Sequence, residues 1–219
     1  PAIKDMEWCN RGHINREFKI TGPDQKIPRD LHGALNNVAF KNALMNFLIT
    51  EWRSNKYATL LEGHVMYVGK DDKCFFYKSE DGAMVYRTVP SLSCSHPEAD
   101  TRMIFHLSQI AEGNQHQNIV IRSSDTDVLV LLLSHQENLA VNIWFETGTS
   151  TNNTRRFIAV TALAGEMGPD ICGALVGLHA FTGTDFTASF LRKGKLRPLK
   201  IMERNLEHMR TFGQLGRVD

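Results

Sequence analysis

The stretch from Asn118 to Leu133 constrains the fold of this chain more than any other. Asn118-Ile119-Val120-Ile121-Arg122 is a short apolar run, Ser123 to Asp127 is a polar turn carrying two acids, and Val128 to Leu133 is an unbroken apolar block. The first run predicts a buried strand. The second predicts a buried helix or strand, because periodicity does not separate the two in so short a block. Segments this apolar need cover from neighbouring elements, and the surrounding sequence offers it. Pro97 to Gly113 predicts a helix, with proline at its start, acids in its first turn, and Met103, Ile104, Leu107, Ile110 and Ala111 on one face. Asn142 to Phe145 predicts another buried strand, and Gly148 to Thr154 a polar loop. Ile158–Glu166 and Pro169–Phe181 predict helices divided by Gly168-Pro169.

Upstream, residues 1–36 read as a basic extended segment with little regular structure, punctuated by Gly12, Gly22, Pro23 and Pro28. Val38, Phe40, Leu44, Phe47, Leu48 and Trp52 recur at helical spacing and predict a helix over 37–54. Between 63 and 89 the period changes to that of strands, with Glu80-Asp81-Gly82 as a turn, which predicts a small hairpin insertion. The end of the chain is basic and predicts a helix over 198–210, so that 37–200 forms the core and 201–219 a helical tail. Strands alternating with helices predict an α/β fold with a mostly parallel central sheet.

Bulk properties narrow the function classes little. The formal net charge is +1, so a nucleic-acid partner depends on local basic patches rather than on global charge. Cys9, Cys74, Cys94 and Cys172 are scattered without CxxC or paired-histidine spacing, which argues against a zinc site or a disulfide framework and for reduced thiols in an intracellular setting, nucleus or cytoplasm. No run approaches the roughly 18 apolar residues that a membrane span needs. The start, Pro1-Ala2-Ile3-Lys4-Asp5, has neither an initiator Met nor an apolar signal, which predicts processing or a chain beginning inside a larger product.

Five acids stand at places where strands or loops meet helices: Glu98 and Asp100 in a helix's first turn, Asp125 and Asp127 after a strand, and Asp185 after Thr182-Gly183-Thr184. Taken singly, each has a plain structural reading as a helix cap or first-turn acid. Taken together in one confined site, they require a compensating charge, because each carboxylate disfavours ionisation of its neighbours. Mg²⁺ or Mn²⁺ is the natural compensation, since hard cations take carboxylate and water oxygens.

Three motifs in order carry a family resemblance. Pro97-Glu98-Ala99-Asp100-Thr101-Arg102 resembles the Glu-Ala-Glu/Asp helix of FEN/XPG-type 5′ nucleases of the PIN-like superfamily. Ile119 to Asp127 resembles their strand followed by Asp-x-Asp, and His179-Ala180-Phe181-Thr182-Gly183-Thr184-Asp185 resembles their apolar helix ending in Gly-Cys-Asp. The chain from about Ile3 to Lys200 is similar to a group of animal proteins with Glu-Ala-Asp-Thr-Arg, Asp-Thr-Asp-Val and Thr-Gly-Cys-Asp-Thr motifs; here Gly183-Thr184-Asp185-Phe186 departs from the last. The resemblance implies a three-layer PIN/FEN-like fold and a metal-dependent nuclease of DNA or RNA. Glu98, Asp100, Asp125, Asp127 and Asp185 would hold the cations, with Asp125 and Asp127 catalytic in two-metal hydrolysis. It also implies two further acids that would fall before Pro1, and hence a domain truncated at its N-terminus.

Arg192, Lys193, Lys195, Arg197 and Lys200 follow Asp185 closely. By the same resemblance Arg192, Lys193 and Lys195 grip a nucleic-acid backbone, and Gly194 lets backbone amides approach phosphate. The plain reading is a solvated basic surface. Arg102, one turn from the helix-start acids, orients them by a salt bridge or touches phosphate. His96, His106 and His179 can each be read as a general base, but two-metal hydrolysis generates hydroxide at the metal and needs no histidine, and His106 reads as structural; Ser124 and Ser189 lack the context of a nucleophile elbow. The alternative to a nuclease is a catalytically inactive nucleic-acid-binding or protein-interaction module.

Overall fold

The computed structural model describes residues 18–96, 98–113, 118–139, 141–151, 153–184, 187–190 and 192–215. The chain divides into two compact units, Pro1–Pro97 and Glu98–Asp219.

In the first unit, Asp30 caps a short helix, α1 (Leu31–Leu35), within the stretch expected to be extended. Asn37 Oδ1 then accepts the Phe40 amide and starts α2 (Val38–Glu51), as the helical spacing predicts. Three strands follow as an antiparallel meander, β1 (Val65–Lys70), β2 (Lys73–Glu80) and β3 (Ala83–Thr88), joined by tight turns at Asp71 and at Asp81-Gly82. Their period-2 alternation sends Met66, Val68, Phe75, Tyr77 and Met84 to one face, where they pack with Trp52, Ala58 and Leu61. Tyr77 is fully buried, and its hydroxyl donates to the Ile49 carbonyl at 2.7 Å.

The second unit begins with α3 (Ala99–Gly113) and continues through β4 (Asn118–Arg122), α4 (Thr126–His135), β5 (Asn142–Thr147), β6 (Arg156–Ala159), α5 (Val160–Met167), α6 (Pro169–Thr182), α7 (Leu196–Met202) and α8 (Leu206–Gln214). The block Val128–Leu133 is helical: Val128, Leu132 and Leu133 are its buried residues. They form one core with Ile119, Ile121, Ile143, Phe145 and Ile158 from the strands and with Leu107, Ala111, Val160 and Leu175 from the other helices. The predicted single helix at the end of the chain is two, interrupted at Glu203–Asn205, where Asn205 Oδ1 accepts the amides of Glu207 and His208 and starts α8.

The expected three-layer PIN/FEN-like fold with a mostly parallel central sheet is not observed. Among the described residues the sheets are two and small, β1-β2-β3 antiparallel and β4-β5-β6 mixed. In the second, β4 and β5 are parallel across the α4 crossover, but β6 returns antiparallel to β5. The physical cause is the loop between them. A parallel partner needs a crossover of a dozen or more residues, whereas Gly148 and Thr154 close a tight return. Gly148 has φ +81°, and a Cβ there would lie 2.1 Å from the Thr154 carbonyl oxygen. The sequence expectation assigned Ile158 to a helix, so it missed β6 and with it the change of direction. The alternate positions Val120, Trp144 and Phe157 on the opposite face are exposed at 51%, 39% and 49%. Among the described residues this sheet is therefore covered by helices on one side only.

Candidate functional site

Asp125 and Asp127 lie where β4 passes into α4, the carboxyl end of a parallel strand pair and the usual ligand edge of α/β sheets. Asp125 is the N-cap of α4. Its Oδ1 accepts the Asp127 amide at 2.9 Å, while its own amide donates to Ser123 Oγ at 3.0 Å. Asp127, in the first turn, accepts through Oδ1 from His179 Nε2 at 2.9 Å. His179 sits in the last turn of α6, and its side chain is only 14% exposed against 35% for Asp127. Two motifs far apart in the sequence, Asp-Thr-Asp and His-Ala-Phe-Thr-Gly-Thr, thus meet through one hydrogen bond.

Beyond His179 the chain is tied back to the end of α6. Gly183 has φ +108°, and a Cβ there would press on Ser189. The Thr184 amide donates to Thr187 Oγ1 at 2.9 Å, and Thr187 Oγ1 donates to the Ala180 carbonyl at 2.7 Å. Asp185, the acid expected in this turn, lies outside the described residues. Lys195 donates to the His179 and Gly183 carbonyls and to Thr182 Oγ1. It donates to carbonyls at the C-terminal end of α6, a cation at the negative end of a helix. A cavity of about 330 Å³ with mainly leucine and valine walls opens beside His179, Thr182 and Lys195.

The remaining expected residues are distributed less tightly. Asp100 stands in the first turn of α3, and the Glu98 carbonyl accepts the Arg102 amide at 3.2 Å. Arg102 is half-buried on that helix. Helix α3 packs on α4, yet among the described residues no three His, Cys, Asp or Glu side chains form a group able to hold a metal ion. Arg192, Lys193 and Gly194 are exposed, with Arg192 in the left-handed region at φ +57°.

The donor set can be tested against the expected cation. Asp125 and Asp127 each commit one carboxylate oxygen to a protein donor, and no described residue hydrogen-bonds the other. Two such carboxylates fit a largely hydrated Mg²⁺ or Mn²⁺, which is held by one or two carboxylates together with substrate phosphate. They do not fit a closed structural metal site, which needs a full protein ligand set.

Sequence reasoning weighed His179 as a general base and set it aside, and no local signal names its partner. It also passed over Glu146, a buried acid near the end of β5 with Arg155 Nε 2.7 Å and Arg122 Nε 3.7 Å from its Oε1. The first contact is electrostatic rather than an aligned hydrogen bond, which leaves Oε1 without a donor. Trp-Phe-Glu in β5 and Arg-Phe-Ile-Ala leading through β6 carry the alternation that could have revealed this face. No helix among the described residues is long and apolar enough to cross a membrane. Comparison of the chain with protein families, characterised proteins and solved structures finds no match.

Proposed function

We propose that this chain is a metal-dependent phosphodiesterase acting on DNA or RNA, with Asp125 and Asp127 as the central acids. The observation that carries the reading is the His179–Asp127 hydrogen bond. It joins the Asp-x-Asp turn to the helix that leads into Asp185, and these are two of the three motifs on which the nuclease resemblance rests.

In this reading the second oxygens of Asp125 and Asp127 would hold Mg²⁺ or Mn²⁺, with Asp185, which follows α6 in the sequence, as a third acid and Glu98 and Asp100 as outer acids. The bound cation supplies Lewis-acid stabilisation of phosphoryl charge and acidifies water. His179 holds the Asp127 carboxylate in one rotamer, as outer partners of metal ligands do. The Asp125 side chain stays fixed by its cap. Arg192 and Lys193 are exposed and meet backbone phosphates, whereas Lys195 is occupied at the end of α6 and contributes only the positive field.

The test is cleavage of single-stranded, flap and hairpin substrates with Mg²⁺ or Mn²⁺, comparing the wild type with Asp125→Asn and Asp127→Asn. The expected result is divalent-dependent cleavage reduced at least about 100-fold by either substitution, the scale on which loss of electrostatic stabilisation is felt. Cleavage indifferent to both substitutions overturns the assignment.

A second reading, binding without cleavage, is favoured by one specific observation: Asp125 and Lys195 both perform helix-capping work that explains them without a substrate. Nucleic-acid binding with no divalent-dependent cleavage would select it.

A further inference from the structure

The outer face of the β4-β5-β6 sheet carries a pattern that the acidic edge does not use. Parallel register sets Val120 opposite Trp144 and Arg122 opposite Glu146. Antiparallel register sets Glu146 opposite Phe157. Residues opposite one another, and residues two apart on a strand, share a face, so Val120, Arg122, Trp144, Glu146 and Phe157 stand together. Arg155, two residues before Phe157, joins them, with its guanidinium carbon 5.2 Å from the Phe157 ring centroid.

Three properties of this face matter. Its large apolar side chains are exposed: Trp144 at 39%, Phe157 at 49% and Val120 at 51%. Its cations are also exposed, with the Arg122 and Arg155 side chains at 72% and 49%. Its one acidic strand position, Glu146, is buried to 6% and faces those same two arginines. Glu146 therefore draws the two guanidinium groups to this face electrostatically without presenting a carboxylate to solvent. The result is a flat surface with two rings diagonal to one another, roughly 7–8 Å apart by strand geometry, flanked by positive charge.

We infer that this face is a stacking platform for single-stranded nucleic acid, in which Trp144 and Phe157 each take one base and Arg122 and Arg155 meet the phosphates between and beyond them. A single strand presents bases and phosphates together, and it is bound by aromatic faces beside cations. A protein partner would be served by the apolar rings but gives no reason for two exposed arginines beside a buried acid. The inference rests on nucleic acid being the partner, as in the proposed function, but not on metal binding or on Asp125 and Asp127.

The experiment is fluorescence anisotropy of a labelled twelve-nucleotide oligo(dT) in EDTA. The expected result is that Trp144→Ala and Phe157→Ala each weaken binding at least about fivefold, the lower end of what one base-stacking ring contributes. Trp144→Phe keeps most of the affinity because it keeps a ring face. Arg122→Ala lowers the salt slope by about 0.7, the value for one phosphate contact on a single strand. Circular dichroism confirms that each variant is folded, and Trp144→Leu, which keeps apolar bulk without a ring face and is expected to lose the same affinity, replaces Trp144→Ala should that variant fail to fold.

Wild-type affinity in both alanine variants overturns the platform. If in that case Asp127→Asn still abolishes cleavage, the proposed function stands without it. Weakened binding in both alanine variants, with cleavage indifferent to Asp125→Asn and Asp127→Asn, supports the platform and removes the cleavage assignment. Dimerisation of the wild type that Trp144→Ala abolishes, with no oligo(dT) binding, assigns the face to a second copy and overturns the inference.

Discussion

The two sheets of this chain have the same number of strands and treat their aromatic residues in opposite ways. In the first unit, Tyr77 faces the core and is fully buried, while Phe76 on the other face is only 9% exposed. Phe76 meets Tyr67 edge to face at 5.4 Å, and Arg87 lies over it at 4.7 Å. Its ring is already occupied from within the unit. In the second unit the corresponding face leaves Trp144 and Phe157 open, and among the described residues one ring contact is made there, by Arg155 with Phe157. Outward aromatic residues on the two sheets are therefore not equivalent: Phe76 is buried beneath Tyr67 and Arg87, whereas Trp144 and Phe157 stay exposed.

Identical truncations in the two sheets should give opposite readouts. Tyr77→Ala is expected to cost about 3–5 kcal/mol in chemical denaturation, the range for removing a large buried ring. Trp144→Ala is expected to stay within about 0.5 kcal/mol, as a surface change away from the core does. A large stability loss at Trp144 would make its exposure misleading and collapse the contrast. In oligo(dT) binding the order reverses. The double variant Trp144→Ala/Phe157→Ala is expected to lose at least about 25-fold if the two rings act independently, and Tyr67→Ala to stay within about twofold. Equal losses at Tyr67 and Trp144 would show that both sheets bind.

A smaller effect separates capping from chemistry. Asn37 and Asp125 both cap helices through Oδ1, so Asn37→Ala and Asp125→Ala should each cost about 1 kcal/mol. Asp125→Asn should leave stability nearly unchanged, because asparagine caps as well as aspartate. Any loss of Mn²⁺ affinity in Asp125→Asn, followed by titration calorimetry, then reports the lost charge rather than a frayed helix.

The smallest expected effect is a pH dependence in the first unit. Burial raises the Tyr77 pKa above its ordinary value of 10.0. The folded state then keeps a proton that the unfolded chain releases. The contribution is complete below about pH 10 and is lost as pH rises through the folded value. Alkaline denaturation curves should show this loss in the wild type and not in Tyr77→Phe, which is also less stable at neutral pH because the Ile49 carbonyl loses its donor. Parallel curves for the two proteins would place the alkaline response elsewhere.

Much of the architecture was legible because its signals are local. Helical spacing marked α2, alternation marked the first meander, and apolar runs marked β4 and β5. The acids of the candidate site were legible on the same grounds, since Asp125 and Asp127 stand between a strand pattern and an apolar helix. What escaped was set by chain return. Arg156–Ala159 is too short to declare itself against the helix that follows it, and its pairing depends on the turn at Gly148.

The sequence by itself thus marked most of the helices and strands and the acids at their ends, though not α1, β6 or the break between α7 and α8, because caps, turns and hydrophobic period act within a few residues. Only the tertiary structure decided the direction of β6, the partner of Asp127 52 residues away, the capping duty of Lys195, and the side of the sheet left open. Strand ladders, buried ion pairs and exposed faces arise from where the chain comes back upon itself, and no local periodicity encodes that return.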